Sequence, residues 1–258
     1  MKIPKIIHCC WFGSNEIPEK EHKCMESWKK YFPEHDVKLW NENNFDINEN
    51  IFAKQAYEAN HFAFVSDYVR TKVLYEYGGL YLDTDVEILQ NFDSVLSKET
   101  CFLGFETRAK IGTAVMGFTP KHDVLKHFLK FYQSNNFRKK NGDINTIANV
   151  TILTDILFKR GLITDGTSQT IDDIEVFQRE YFYPKKISDS EFVISLQTIA
   201  VHKCSNSWMT ERERSRGNNK IWINIMRPLL RFFRNLGLNI FGGEHIRQIE
   251  IKIRNILK

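Results

Sequence analysis

YEYGGLYLDTDVEI, residues 75–88, places two aspartates, Asp83 and Asp85, one residue apart at the end of an apolar run. Asp is a poor strand residue and costs free energy to bury unpaired. Leu80 to Leu82 nevertheless reads as a strand, and Val86 to Leu89 resumes the strand pattern. In an extended chain residues two apart point the same way, so both carboxylates are expected on one side, with Thr84 facing away. Two anions held side by side repel unless a cation sits between them. Oxygen ligands of this kind suit Mg2+ or Mn2+, which keep positions open for phosphate oxygens. A D-x-D triplet alone is a weak motif, and two solvated aspartates in a turn are the ordinary alternative. Its position after a buried strand gives it weight, because open α/β sheets bind ligands at the carboxyl ends of their strands.

Immediately upstream, FAFVSDYVRTKVLYEYGG (residues 62–79) is the clearest helix in the chain. Val65, Val69 and Val73 recur every four residues, and Gly78-Gly79 supplies the stop. On the helical wheel Asp67 and Arg70 lie together, about 130° from the valine stripe. Alone they read as a surface i, i+3 ion pair. Beside the D-x-D segment they become candidates for ligand contact.

Working outward, KIIHCCWF (5–12) is a first buried strand, and 19–32 has helical character. Residues 37–40 form a second strand. This order predicts an α/β layered fold with a partly parallel sheet. CFLGFE (101–106) and TAVMGFTP (113–120) read as antiparallel partner strands, 122–132 as a helix and 143–161 as another. Residues 192–194 and 199–202 look like short strands, the second ending in AVHKCSNSWM (200–209). A His at a strand end, His202, can complete a carboxylate metal site through a ring nitrogen, though a lone His is more often structural.

The 258 residues suit one large domain or a domain with an appendage. Hydrophobic residues at 42% and charged ones at 26% are ordinary for a globular protein. The net charge of +4 is unevenly spread, with eight basic residues against two acidic ones from Lys220 onward. The main body is therefore slightly acidic, which argues against a nucleic-acid groove across the fold. Five cysteines without a C-x-x-C pair suggest neither a disulfide framework nor a zinc knuckle, and a reducing, cytoplasmic setting is expected. The N-terminus is too short in apolar residues for a signal peptide, and no apolar run is long enough to span a membrane.

The last segment is different. Ile246, Ile249, Ile253 and Ile256 fall at helical spacing, flanked by Arg247, Lys252, Arg254 and Lys258. This is the pattern of a basic amphipathic helix, suited either to an anionic membrane surface or to packing on protein. The expected organisation is a domain over residues 1–210 and a basic amphipathic helical tail over 211–258.

Taken in order, IPKIIHCCWFG (3–13), FAFVSDYVRTKVLYEYGGLYLDTDVEI (62–88) and AVHKCSNSW (200–208) resemble the D-x-D sugar transferases. These include fungal initiating mannosyltransferases and bacterial capsule and exopolysaccharide enzymes, with a more distant likeness to glucosylating toxins. The resemblance implies a GT-A fold and a retaining glycosyltransferase that uses a nucleotide sugar, a UDP-sugar being favoured, with Mn2+ or Mg2+. Carried over, Ile7, His8 and Trp11 border the base and ribose, and Asp67 and Arg70 hold donor hydroxyls. Asp83 contacts the donor and helps the metal, and Asp85 ligates it. His202 or Ser207 completes the metal shell, and Trp208 covers the diphosphate. The catalytic set is then Asp83, Asp85 and Arg70. The implied acceptor is a lipid-linked oligosaccharide or polysaccharide in capsule or exopolysaccharide synthesis, at the inner face of the cell membrane. Two other readings stand beside transfer: a nucleotide-sugar hydrolase, and a non-catalytic peripheral membrane protein that keeps the fold. The usual Thr-Gly-Pro element of the family is replaced by NVTILTD (149–155).

Overall fold

The apolar runs near residues 6–10 and 79–82 become neighbouring parallel strands inside a mixed sheet, with Ile7 opposite Leu80 and His8 opposite Tyr81. The structure, a computed structural model, describes residues 2–93, 100–139, 143–187 and 191–205. Ser207, Trp208 and the expected tail over 211–258 lie outside the described residues.

In chain order the sheet strands are β1 (Ile6–Cys10), β2 (Asp36–Trp40), β3 (Gly79–Leu82), β5 (Cys101–Thr107), β6 (Lys110–Ile111), β7 (Val115–Phe118), β8 (Gln169–Ile171) and β9 (Ile174–Phe177). They lie in the order β2-β1-β3-β7-β5-β9-β8, with β6 paired to β5. β1 runs parallel to both β2 and β3, and β7 is antiparallel to β3 and to β5. The chain leaves β1 for β2 on one side and returns to β3 on the other. That reversal opens a crevice at the carboxyl ends of β1 and β3, where Trp11 and Asp83 stand. A separate antiparallel pair joins β4 (Val86–Ile88) to β10 (Ala200–His202).

Successive strand residues face opposite sides, and both sides are covered, which is why these strands read as continuous apolar runs. Tyr81, Cys101, Leu103 and Phe105 pack with Val65, Val69 and Val73 of α3 (Phe62–Tyr77), and with α2 (Ile51–Glu58), α4 (Asp123–Ser134) and α5 (Asn149–Phe158). Ile7, Leu80, Leu82 and Phe102 face the other way, against Trp28 and Phe32 from α1 (Glu19–Tyr31) and its end. The Trp28 indole donates to the Val86 carbonyl at 2.7 Å, tying α1 to β4.

Several local expectations change. Residues 83–85 form a turn, closed by Val86 N–H donating to the Asp83 carbonyl at 2.9 Å, and are not extended. The α5 helix covers Asn149–Phe158 and not all of 143–161, because residues 144–148 pair locally through the Arg138–Ile144 bridge or run irregularly. Residues 192–194 hold one bridge, between Phe192 and Lys186, and expose Val193 and Ile194, so they are no strand. The hairpin of β8 and β9 turns at Asp172-Asp173, with Asp172 at φ 53°, a conformation that Asp tolerates better than most residues.

Gly79 joins α3 to β3 at φ +103°, and a Cβ there would sit 2.5 Å from the Ile6 carbonyl oxygen. That contact is with backbone of the adjacent strand and has no flexible side chain to yield. Gly79→Ala is expected to destabilise the fold by about 2–3 kcal/mol. A urea midpoint lowered with an unchanged slope is the readout.

Candidate active site

The turn after β3 brings the two carboxylates together differently from an extended strand. Each aspartate has one oxygen held by the protein and the other directed at His202. Asp83 Oδ1 accepts from the Tyr81 hydroxyl at 2.9 Å and lies 3.2 Å from Arg70 Nη2. Asp83 Oδ2 is 4.0 Å from His202 Nε2. Asp85 Oδ2 accepts the Ser205 backbone N–H at 2.7 Å, with the Ser205 hydroxyl 2.9 Å away, and Asp85 Oδ1 is 3.3 Å from His202 Nε2. The β4–β10 pair sets His202 directly opposite Val86, one residue beyond Asp85. Ligand atoms of Asp83, Asp85 and His202 all lie within 4.8 Å of one another.

The electrostatics follow from this convergence. Burial works to raise the Asp85 pKa, but the hydrogen bond and charge of His202, with Ser205, outweigh it and hold Asp85 below the ordinary carboxylate range. Burial opposes a charged His202, yet Asp85 and then Cys204 hold its pKa well above the usual imidazole value. Cys204 Sγ sits 3.6 Å from His202 Nδ1. Two carboxylates and an imidazole are a donor set that fits Mn2+ or Mg2+, with the imidazole favouring the softer Mn2+. His202 loses its proton on ligation, and its raised value keeps that proton on at neutral pH. Mn2+ affinity is therefore expected to rise with pH, by about tenfold per unit for one displaced proton, until the His202 pKa is passed. Titration with Mn2+ at pH 6.5, 7.5 and 8.5 checks it; a flat profile shows that binding displaces no proton from His202.

Arg70 and Asp67 do share a helix face off the valine stripe, but that face is buried. Their side chains are only 7% and 13% exposed, which overturns the surface ion-pair reading. Arg70 Nη2 lies 3.3 Å from Asp67 Oδ1 and 3.2 Å from Asp83 Oδ1. Its Nη1 donates to the Thr113 carbonyl at 2.9 Å, and its Nε to the Ser66 carbonyl at 3.3 Å. The guanidinium is thus engaged on each side by protein groups and fixes Asp83 from behind. Asn149, at the start of α5, donates its side-chain amide to Asp67 Oδ1. Burial pushes the Asp67 pKa up to about 7, with Arg70 opposing and Asp83 adding to the rise.

The β1 residues are placed unequally. Ile7 has no exposed surface. His8 is equally buried: its Nδ1 accepts from the Trp40 indole at 3.0 Å, so its Nε2 carries the proton to the Gly78 carbonyl at 2.9 Å. Burial lowers its pKa to about 4, so the ring is neutral at pH 7 and brackets β1, β2 and the end of α3. Trp11 is partly exposed at the crevice mouth and donates its indole N–H to the Asn15 carbonyl at 2.7 Å. Sequence reasoning missed Tyr81, Thr113, Asn149 and Ser205. Tyr81 lies two residues before Asp83 in the acidic stretch itself, and Ser205 two residues before Ser207 in the flagged loop, so both had a nearby signal; Thr113 reaches Arg70, and Asn149 reaches Asp67, only through tertiary contacts.

The family model described as "Glycosyltransferase sugar-binding region containing DXD motif" matches residues 18–102. Inositol phosphoceramide mannosyltransferase 3 of Schizosaccharomyces pombe is 32% identical over 127 residues, 48% of this chain and 35% of that protein. An uncharacterized glycosyltransferase of Acanthamoeba polyphaga mimivirus is 27% identical over 70% of this chain and 73% of its own length. The chain spans well under half the length of the fungal relatives it matches. Among solved structures, the PaToxG glycosyltransferase aligns at a TM-score of 0.50 and 19% identity, over 61% of this chain and 69% of that one. The shared architecture is the GT-A fold.

Proposed function

We propose that this chain is a D-x-D sugar transferase, a divalent-metal-dependent hexosyltransferase that moves a sugar from a nucleoside diphosphate donor to a lipid-borne hydroxyl. The convergence of Asp83 Oδ2, Asp85 Oδ1 and His202 Nε2 at one point in the strand-end crevice carries the reading. A metal bound there supplies Lewis-acid stabilisation of the departing diphosphate. The protein's own contribution is positioning. Tyr81 and Arg70 hold Asp83, Ser205 holds Asp85, and both remaining oxygens face His202 Nε2, where the three groups would hold the metal. Asp67, set beside Arg70 and Asn149, is placed to receive a donor hydroxyl, and Trp11 flanks the entrance to the crevice. Among the described residues no single carboxylate stands out as a covalent nucleophile, so we favour retention through attack on the same face as the leaving group.

The fungal relatives are named for transfer of mannose to inositol phosphoceramide, which favours a lipid acceptor and a mannosyl donor over capsule synthesis. Among the described residues no helix is long and apolar enough to cross a membrane. The basic pattern of residues 211–258 fits a chain held at a membrane surface. A melting-temperature panel of GDP-, UDP- and dTDP-hexoses with and without Mn2+ tests the donor site. A donor at 100 times its Kd adds about 2.7 kcal/mol, a shift of several degrees. Transfer to a lipid acceptor without release of free sugar separates transfer from hydrolysis. The absence of any Mn2+-dependent shift removes the enzymatic reading.

A further inference from the structure

On α1, Glu21 occupies a core-face position. It shares the buried stripe with Cys24 and Trp28, three and seven residues on, where an apolar side chain would satisfy the helix. It is 0% exposed, and its Oε2 has no hydrogen-bond partner. A carboxylate in such a place is costly unless something accepts the cost in return. Its Oε1 receives the Ser205 hydroxyl at 2.8 Å. The same hydroxyl is 2.9 Å from Asp85 Oδ2, and the Ser205 backbone N–H reaches that oxygen at 2.7 Å. A hydroxyl has one proton. When that proton serves Glu21, the backbone N–H remains on Asp85, and Glu21 sets where that N–H sits.

We propose that Glu21 is a positioning residue for the metal centre: it anchors the segment after β10 to α1 through Ser205, so that Asp85 is gripped by Oδ2 and keeps Oδ1 toward the ion. The inference rests on the metal reading above. Its reach is long in sequence, since Glu21 and Ser205 stand at opposite ends of the described chain.

The test is Mn2+ affinity of the full chain, measured from the electron paramagnetic resonance signal of free Mn2+, with melting temperature alongside. Glu21→Met replaces the buried charge by an unbranched apolar chain of similar length. It is expected to keep or raise the melting temperature while weakening Mn2+ binding about 10-fold, the scale of groups that orient a metal ligand. Ser205→Ala is expected to weaken binding at least as much, and the double variant no further than Ser205→Ala. Glu21→Gln still offers Oε1 to the Ser205 hydroxyl and is expected to restore affinity toward wild type. Wild-type affinity in Glu21→Met, or multiplying effects in the double variant, overturns the inference alone. If Glu21→Met does not fold, Glu21→Asp keeps the charge but shortens the reach; wild-type affinity there overturns it equally. A wild-type chain that binds no Mn2+ overturns the metal reading and this inference together.

Discussion

Asp85→Asn is expected to lower the transfer rate about 10³-fold, equivalent to roughly 4 kcal/mol of transition-state stabilisation. The side chain keeps its shape, and its amide oxygen can still accept from Ser205. What disappears is one of the two negative charges that face His202 Nε2, 3.3 Å from Asp85 Oδ1. The nitrogen that replaces the inward oxygen cannot ligate a cation. The Mn2+-dependent shift in melting temperature disappears with it. The apo fold loses the ion pair with His202, so its pH dependence changes as well. Asp85 in the wild type is held below the ordinary carboxylate range, chiefly by His202 against the opposing effect of burial. A carboxylate with a depressed folded value contributes stability above its unfolded pKa, and loses it as pH falls through the folded one. The Asn variant lacks that acid-side loss. Metal titration and melting curves between pH 3 and 7 read both effects, and an Asn variant that still shows Mn2+-dependent transfer near wild-type rate removes Asp85 from the mechanism.

Arg70→Met has the second large effect, on stability. The guanidinium is the cation between Asp67 and Asp83, whose carboxylates lie 3.3 and 3.2 Å from Nη2. Removing one partner of a buried ionic group leaves uncompensated charge and costs about 3–5 kcal/mol. For a domain of this size that lowers the melting temperature by about 6–20 °C. The loss is expected to deepen with pH. Burial already lifts Asp67 to about 7 in the presence of Arg70, which opposes the rise. A group with a raised folded value contributes stability that is full below its unfolded pKa and is lost as pH rises through the folded one. Without Arg70 that loss extends above pH 7, so the variant is weaker at pH 8 than at pH 5.5. Arg70→Lys restores charge without the fork and recovers part of the deficit. Arg70→Met combined with Asp67→Asn recovers more than either measurement alone predicts, because the repulsion is between neighbours. A melting temperature unchanged in Arg70→Met refutes the buried-bridge account.

The α/β class, the parallel start of the sheet, the valine stripe of α3 and the acidic pair were all legible from residue order. Each depends on local repetition: period two or unbroken apolar runs for strands, period near four for the helix, and a glycine pair to end it. His202 was legible as a candidate because it ends an apolar run. The burial of Asp67 and Arg70 was not. A charged pair off an apolar stripe looks solvated, and only the approach of Thr113, Tyr81 and Asn149 from other elements encloses it. The β8–β9 hairpin was missed because its strands are only three and four residues long and its turn is Asp-Asp with no glycine.

Residues 83–85 show the division most clearly. By itself the sequence determined that two carboxylates stand at the carboxyl end of a buried strand, since the apolar run and the glycines before it leave them no other place. It did not determine which way they point. An extended chain sends both to one side by its pleat, whereas the chain turns, and the pair converges because separate contacts grip one oxygen of each. Those contacts come from Tyr81 and Arg70 on one side and Ser205 on the other, with β10 bringing His202 opposite Val86. Ser205 is 120 residues from Asp85 in the chain. No local pattern encodes such a distance; only the packing of the sheet and its helices brings these groups within a hydrogen bond.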